Sequence, residues 1–438
     1  MTMDDGVMVD GRTKGIPPGE GPLPLSDIGS RGWNVLREDM TLPLAVLKVA
    51  ALDHNGRWMR RFLDATGTAL APHGKTTMSP DLFERQLADG AWGMTLATVQ
   101  QVRVARFAGI RRIVLANQLV GRQAIDYIAA ELASDPAFDF YCLVDSTDGV
   151  RLLAERLSAL PLGRPLQVMV EIGSIGGRTG CRTDEAALAV ARAVKQTEPL
   201  LSLRGVEGYE GMVRSDGDRD DAIRAFLDRI ATVAESCARE DLFADSPVIL
   251  SAGGSAFYDM VAERLGDKEW VGAGLGRETL VLLRSGCYLT HDSKSYETLF
   301  QQIRDRMPAV DGFGPGPMAA LEVWAYVQSR PQRDKAVLTV GKRDISYDVD
   351  LPVPTLWFRP GLHKAPVVMP EGAVVTELND QHAHLSLPPE CDLPGFDLKV
   401  GDMVAFGISH PCTTFDKWQV LFLVDDQYDI VSAVKTWF

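Results

Sequence analysis

The chain has 438 residues, 46% hydrophobic and 24% charged, with a formal net charge of -14; this length suggests two or three domains around a large core. The negative balance argues against an electrostatic grip on nucleic acid or an anionic membrane surface, and no apolar run reaches the length of a membrane span. A small molecule is the expected partner.

Residues Met1 to Ser30 are rich in Gly, Asp and Pro and show neither the apolar core of a secretory signal nor an Arg-rich amphipathic pattern. Residues 1–41 are read as an N-terminal extension. From Leu42 to Asp292, short apolar segments alternate with helix-like stretches, the pattern of a parallel α/β fold. The predicted strands are Ala69 to Ala71, Gly93 to Leu96, Ile113 to Ala116, Phe140 to Val144, Val168 to Glu171, Gly205 to Tyr209, Val248 to Ser251, and a last one near Leu282 to Leu289. Eight such units predict a (β/α)8 barrel over residues 42–305, whose strand C-termini converge on one site; an open doubly wound sheet is the alternative. After Asp311 the texture changes to Gly and Pro, then to short β-like segments broken by Pro, Gly and Asp. Residues 306–438 therefore read as a smaller C-terminal β domain. Six scattered cysteines, at 142, 181, 237, 287, 391 and 412, do not form a disulfide framework and point to a reducing cytoplasm.

Three motifs bear chemistry. Lys75 follows the first predicted strand and precedes Pro80-Asp81, a helix start. At a barrel strand end, low dielectric and neighbouring cations can make a lysine nucleophilic and able to hold an aldehyde cofactor as an imine; the plain alternative is a solvated loop lysine. Ser251, Gly253, Gly254 and Ser255 follow the seventh strand, where backbone N–H groups of a small-residue turn could cradle a phosphate; a simple tight turn fits as well. His410 and Cys412 flank Pro411. In extended backbone, residues two apart face the same side, and imidazole with thiolate favours zinc; the alternative is a packed cysteine beside a hydrogen-bonded histidine. His382 and His384 repeat the spacing and read as loop histidines.

Pro72-His73-Gly74-Lys75-Thr76 resembles the cofactor-lysine segment of the D-threonine aldolase and D-serine dehydratase group, pyridoxal-phosphate enzymes with an alanine-racemase-like barrel. The resemblance runs from Leu42 to Phe438. It implies that Lys75 carries pyridoxal 5'-phosphate, that Arg178 approaches the cofactor's phenolic oxygen and that Tyr209 lies beside the pyridine ring. It also implies a phosphate loop at Gly253-Gly254-Ser255, a last barrel strand carrying Gly286 and Cys287, and a metal pair at His410 and Cys412. A homodimer is implied too, because related barrels complete each site with a partner's β domain.

Two positions depart from that pattern. Glu171-Ile172-Gly173-Ser174 lacks the aspartate common in the group's fifth strand segment. Arg284 stands where aldolases and dehydratases usually have an uncharged residue and alanine racemases an arginine facing the pyridine nitrogen. A cation there weakens the cofactor as an electron sink. The implied activity is metal-assisted elimination of water from a D-3-hydroxy amino acid such as D-serine, followed by hydrolysis to a keto acid and ammonia, with Lys75 as the base. Retro-aldol cleavage, racemisation and cofactor binding without turnover are the alternatives. The His-x-Cys pair resembles the dehydratase branch, whereas the aldolase branch resembles a His-x-Asp pair.

Overall fold

Eight parallel strands follow one another in the predicted order: Ala69–Leu70, Met94–Leu96, Arg112–Gln118, Asp139–Val144, Leu166–Ile172, Leu201–Gly208, Val248–Ala252 and Thr279–Leu283. The structure is a computed structural model, and it describes residues 6–244, 247–388 and 396–438. Each strand pairs with its sequence neighbour from the second to the eighth, and the eighth pairs with the first. The remaining gap is bridged where Trp92 N donates to Leu70 O at 2.7 Å and Thr95 N to Pro72 O at 2.9 Å, beside a His73–Thr95 bridge. The result is a (β/α)8 barrel, as expected. Most strand residues are buried on both faces, which is why these segments read as unbroken apolar runs rather than alternations.

The intervening helices begin where side-chain oxygens can accept unsatisfied N–H groups. Thr98, Ser146 and Thr183 each accept from the N–H three residues on, a cap whose loss costs about 0.5–2 kcal/mol. Helix Val49–Thr66 turns Leu52, Trp58, Met59 and Phe62 inward and stops at Gly67, whose φ of 63° favours glycine. Inside the barrel, Val114, Tyr141, Leu143, Met169, Ile249 and Leu282 form a separate cluster, so the ring is a packed core.

The C-terminal half forms a second, mainly antiparallel sheet of ten strands. Leu321–Gln332 lies at its centre and pairs with Met403–Gly407 on one side. One strand corrects the expected division of the chain. Leu44–Lys48, read as the start of the barrel range 42–305, pairs antiparallel with Leu321–Gln332 and parallel with Val420–Val424. Its run Leu44-Ala45-Val46-Leu47 is fully buried and suits a central strand of any sheet, so only the distant partners decide which. The N-terminal extension packs against the same sheet, Leu25, Ile28 and Val35 sharing a core with Trp324 and Phe422. Lys14 pins it by an ion pair to Asp344 at 2.5 Å and lies 3.8 Å over the Trp418 ring.

The last barrel strand is shorter than expected. It ends at Leu283, and Arg284 to Cys287 form the loop beyond it. Among the described residues no helix is long and apolar enough to cross a membrane. The five described cysteines are free thiols; Cys391 lies outside the described residues.

Candidate active site

After the first strand, the chain passes Pro72 and His73 into one 3-10 turn, Gly74–Thr76, and then enters helix Pro80–Ala88 with proline in its first turn. Gly74 has no room for a side chain, since a Cβ would lie 2.8 Å from the Phe83 ring. The turn is thereby pressed onto the helix, and Lys75, itself exposed, reaches into a cavity of about 310 Å³ at the strand C-termini. Arg178, Tyr209, Gly254, Ser255, Arg284, Gly286, Cys287, His410 and Cys412 line the same cavity. Of the residues expected to hold the cofactor or the metal, two do not. Ser251 is buried and donates its hydroxyl to Leu282 O at 2.8 Å, and Gly253 lies behind the wall with φ 87°.

The glycine turn after the seventh strand is not a free anion cradle. The buried Glu210 carboxylate accepts from Gly253 N at 2.9 Å and Gly254 N at 2.7 Å, so those two donors are already satisfied. Anion-binding capacity in this corner lies instead at Ser255, whose Oγ is 3.2 Å from Ser285 Oγ and 3.4 Å from Cys287 N. Gly286 keeps the corner open to the lysine turn, because a Cβ there would fall 2.4 Å from His73 O.

Arg284 is not an isolated cation. Its Nη2 lies 2.6 Å from Glu207 Oε2 and donates to Gly208 O at 2.7 Å. Burial pushes the Glu207 carboxyl up to about 8, against the opposing pull of Arg284. On the other side of the cavity Arg178 stacks over the Tyr209 ring at 5.2 Å. Its loop is tied down through Glu171, which accepts from Gln118 Nε2 and from Thr179 Oγ1, the latter at 2.7 Å. His73 is held well below the ordinary histidine range by burial, and by Lys75, Arg284 and Arg178 around it. It is therefore a neutral imidazole.

His410 and Cys412 do share the cavity, though not by strand alternation. The strand Met403–Gly407 has ended, and Pro411, at φ -59° and ψ -46°, leads into the helical turn Cys412–Phe415. The fixed proline φ suits the start of a helix, so the pair is presented from a turn. Cys412 Sγ lies 3.6 Å from Thr76 Oγ1 and 3.8 Å from Cys287 Sγ. A hydrogen bond from the Cys412 thiol holds Cys287 down, to about 6, and the Cys287 thiolate pushes Cys412 up. His410 Nδ1 is 2.7 Å from Asp348 Oδ2. Among the described residues no three His, Cys, Asp or Glu groups converge as a ligand set. His384 meets Asn379 Oδ1 at 2.8 Å on the outer sheet, as a hydrogen-bonded histidine.

Sequence reading missed His73, Glu207 and Tyr296, which line the cavity, and Glu210 and Asp348, which bond the lining residues Gly254 and His410. Glu207 was within reach, since alternation along Gly205 to Tyr209 puts 205, 207 and 209 on one face. Tyr296 and Asp348 lie in segments without a local signal.

The donors present fit two groups. An exposed lysine beside an arginine, with hydroxyl and amide donors at Ser255 and Cys287, fits a phosphorylated aldehyde. Buried polar atoms without a protein partner, His73 Nδ1 and Arg284 Nε, border the same space. Imidazole and thiol on one turn fit a soft divalent ion with open positions.

Comparisons with known proteins agree with this fold. Residues 47–274 match the family model described as "Alanine racemase, N-terminal domain", and residues 320–424 that described as "Putative serine dehydratase domain". A D-threonine aldolase of an Arthrobacter species is 25% identical over 390 residues, covering 88% of this chain and 89% of that protein. The crystal structure of D-threonine aldolase from Filomicrobium marinum superposes with a TM-score of 0.70 at 22% identity, over 92% of this chain and 97% of that one. D-threo-3-hydroxyaspartate dehydratase from Delftia sp. HT23 superposes with a TM-score of 0.66 at 20% identity, over 92% and 99%. A mutant of a D-threo-3-hydroxyaspartate dehydratase, described as the metal-free form, aligns equally well.

Proposed function

Because the chain belongs to the family defined by the alanine racemase N-terminal domain, we propose that its cavity holds pyridoxal 5'-phosphate on Lys75 and that it is a metal-assisted dehydratase of a D-3-hydroxy amino acid. The reading rests on one observation above all: Lys75 and the His410-Pro411-Cys412 turn, 335 positions apart, line a single cavity. Names among the relatives, a D-threo-3-hydroxyaspartate dehydratase included, supply the substrate class.

When bound, the cofactor supplies an electron sink for negative charge developing at the substrate α-carbon. Lys75 Nζ anchors the aldehyde and is the base that takes the α-proton. Ser255, the Cys287 N–H and Tyr296 would hold the phosphate end, while Arg178 and Tyr209 face the ring. Arg284 is held at 2.6 Å by Glu207 and donates to Gly208 O, which fixes the direction of its guanidinium on the barrel wall. His410 and Cys412 would hold a divalent ion, zinc by their donor chemistry, whose Lewis acidity makes a β-hydroxyl a competent leaving group. For D-serine the balance is loss of water from the α and β carbons, then hydrolysis to pyruvate and ammonia.

A second reading, retro-aldol cleavage, is favoured by the aldolases among the relatives. Incubation with D-serine and D-threonine, with cofactor and zinc supplied, separates the possibilities. Pyruvate and 2-oxobutyrate with ammonia support the dehydratase; glycine and acetaldehyde from D-threonine identify an aldolase; inversion at the α-carbon alone identifies a racemase. No change in either substrate leaves a cofactor-binding protein. Chelation should stop keto-acid release and zinc restore it.

The free thiols support a reducing compartment, as in the cytoplasm. Exposed Ile175, Tyr347 and Val349, each close in sequence to a site residue, support a homodimer in which a partner covers the cavity mouth. A fully active monomer in sedimentation would count against that assembly.

A further inference from the structure

We infer that Asp348 is a positioning residue for the metal: its carboxylate sets the tautomer and direction of the His410 imidazole so that Nε2 is the ligand atom. The inference rests on the reading of His410 and Cys412 as a metal pair. An ionised carboxylate only accepts hydrogen bonds, so the 2.7 Å contact between Asp348 Oδ2 and His410 Nδ1 requires Nδ1 to carry the proton. The lone pair is left on Nε2, on a ring that lines the cavity. The other carboxylate oxygen, Oδ1, accepts from Thr413 Oγ1 at 2.6 Å, and Thr413 belongs to the helical turn that starts at Cys412. One carboxylate therefore reaches the imidazole on one side of Pro411 and the turn presenting the thiol on the other.

Asp348 is not needed to join the two backbone segments. His410 N donates to Ser346 Oγ at 3.2 Å, Ser346 N donates to Thr414 Oγ1 at 3.1 Å, and Ser346 Oγ lies 3.3 Å from Ser409 Oγ, all between buried or nearly buried groups. With the loops already joined, the bond from Asp348 constrains the ring itself. Such constraint matters more here than in a closed site. Two protein donors must hold the ion while leaving positions for substrate, and among the described residues no third ligating group stands with them. A carboxylate on the far nitrogen also raises the basicity of the ligating one.

The test is zinc affinity, measured by competition with a chromophoric chelator on the full-length protein carrying its cofactor. Asp348→Asn should weaken zinc binding roughly 10–100-fold. The absorption band of the lysine-bound cofactor and the melting temperature should stay unchanged. Thr413→Val, which frees one carboxylate oxygen, should show a smaller loss in the same direction. In a His410→Ala background the Asp348→Asn substitution should have no further effect, because its action passes through the ring. An Asp348→Asn variant that binds zinc within twofold of the natural chain would overturn the inference while leaving the metal pair intact. If His410→Ala and Cys412→Ala bind zinc as the natural chain does, the pair is not the metal site, and both readings fall together.

Discussion

Arg284 and Glu207 meet at 2.6 Å with side chains 9% and 1% exposed, whereas His410 and Asp348 meet at 2.7 Å with side chains 24% and 42% exposed. The barrel side of the cavity thus holds its ionisable groups in low dielectric, where burial favours the protonated Glu207 carboxyl and removing a partner of buried Arg284 is costly. The C-terminal side carries them near water, where each contact is weak and screened. Glu210 follows the first pattern, with both carboxylate oxygens taken by backbone N–H groups. Thr413 and Asp348 follow the second. This contrast suits a resident cofactor on the barrel wall and an exchangeable ion on the opposite wall, and it predicts that substitutions on the two sides separate in their readouts.

The largest effect is expected on the barrel side at Lys75. Lys75→Ala should remove the band of the bound cofactor and lower turnover by roughly 10²–10⁴-fold or more, the range for loss of a positioned base. Borohydride trapping followed by peptide mapping checks the residue directly; cofactor fixed to another lysine would break the assignment of this wall.

Next come Arg178→Ala, which removes the guanidinium 5.2 Å over the Tyr209 ring, and Tyr209→Phe, which removes the hydroxyl and keeps the ring. Each should weaken cofactor binding by about 1.5–3 kcal/mol if it bonds a charged cofactor atom, and zinc affinity should not move. Spectral titration with pyridoxal phosphate measures the first, and chelator competition the second. Equal losses of both ligands would mean that the two walls act as one unit.

The smallest expected effect sharpens the account of the buried pair. Glu207 is pushed up to about 8 in the fold, while an unfolded glutamate titrates near about 4.3. Between those values the folded chain holds a proton that the unfolded chain has released, so this group's contribution to stability falls as pH rises through the window. The amide introduced by Glu207→Gln cannot titrate. Relative to the natural chain, that variant should gain melting temperature between pH 5 and pH 9, by on the order of a few degrees. A constant difference across that range would mean that Glu207 is ionised throughout and that the ion pair with Arg284 prevails over burial.

Much of the barrel side was readable in advance, because strand period and strand-end position are local properties. Lys75 follows a segment whose apolar run announces a parallel strand, Arg178 and Tyr209 were implied by the family resemblance, and all three reach the cavity with Arg284. The error at Ser251 and Gly253 came from reading small residues as free donors, when a carboxylate 43 residues earlier in the chain occupies the Gly253 amide. On the C-terminal side, the spacing of His410 and Cys412 named the right residues for a reason the backbone does not obey, since proline begins a helical turn there.

The sequence by itself determined the eight-strand alternation, the lysine at the end of the first strand and the apolar, Pro- and Gly-punctuated texture of the second sheet. These follow from side-chain period and backbone dihedral preference, which act over a few residues. Tertiary structure alone decided that Leu44–Lys48 leaves the barrel for the second sheet, that Glu207 accompanies Arg284, and that Thr76, Cys287 and Cys412 meet across as many as 336 positions. Those outcomes depend on which distant surfaces bury one another. Burial energy scales with apolar area and carries no directional code in the local sequence, so the partners become visible only when the two sheets are packed.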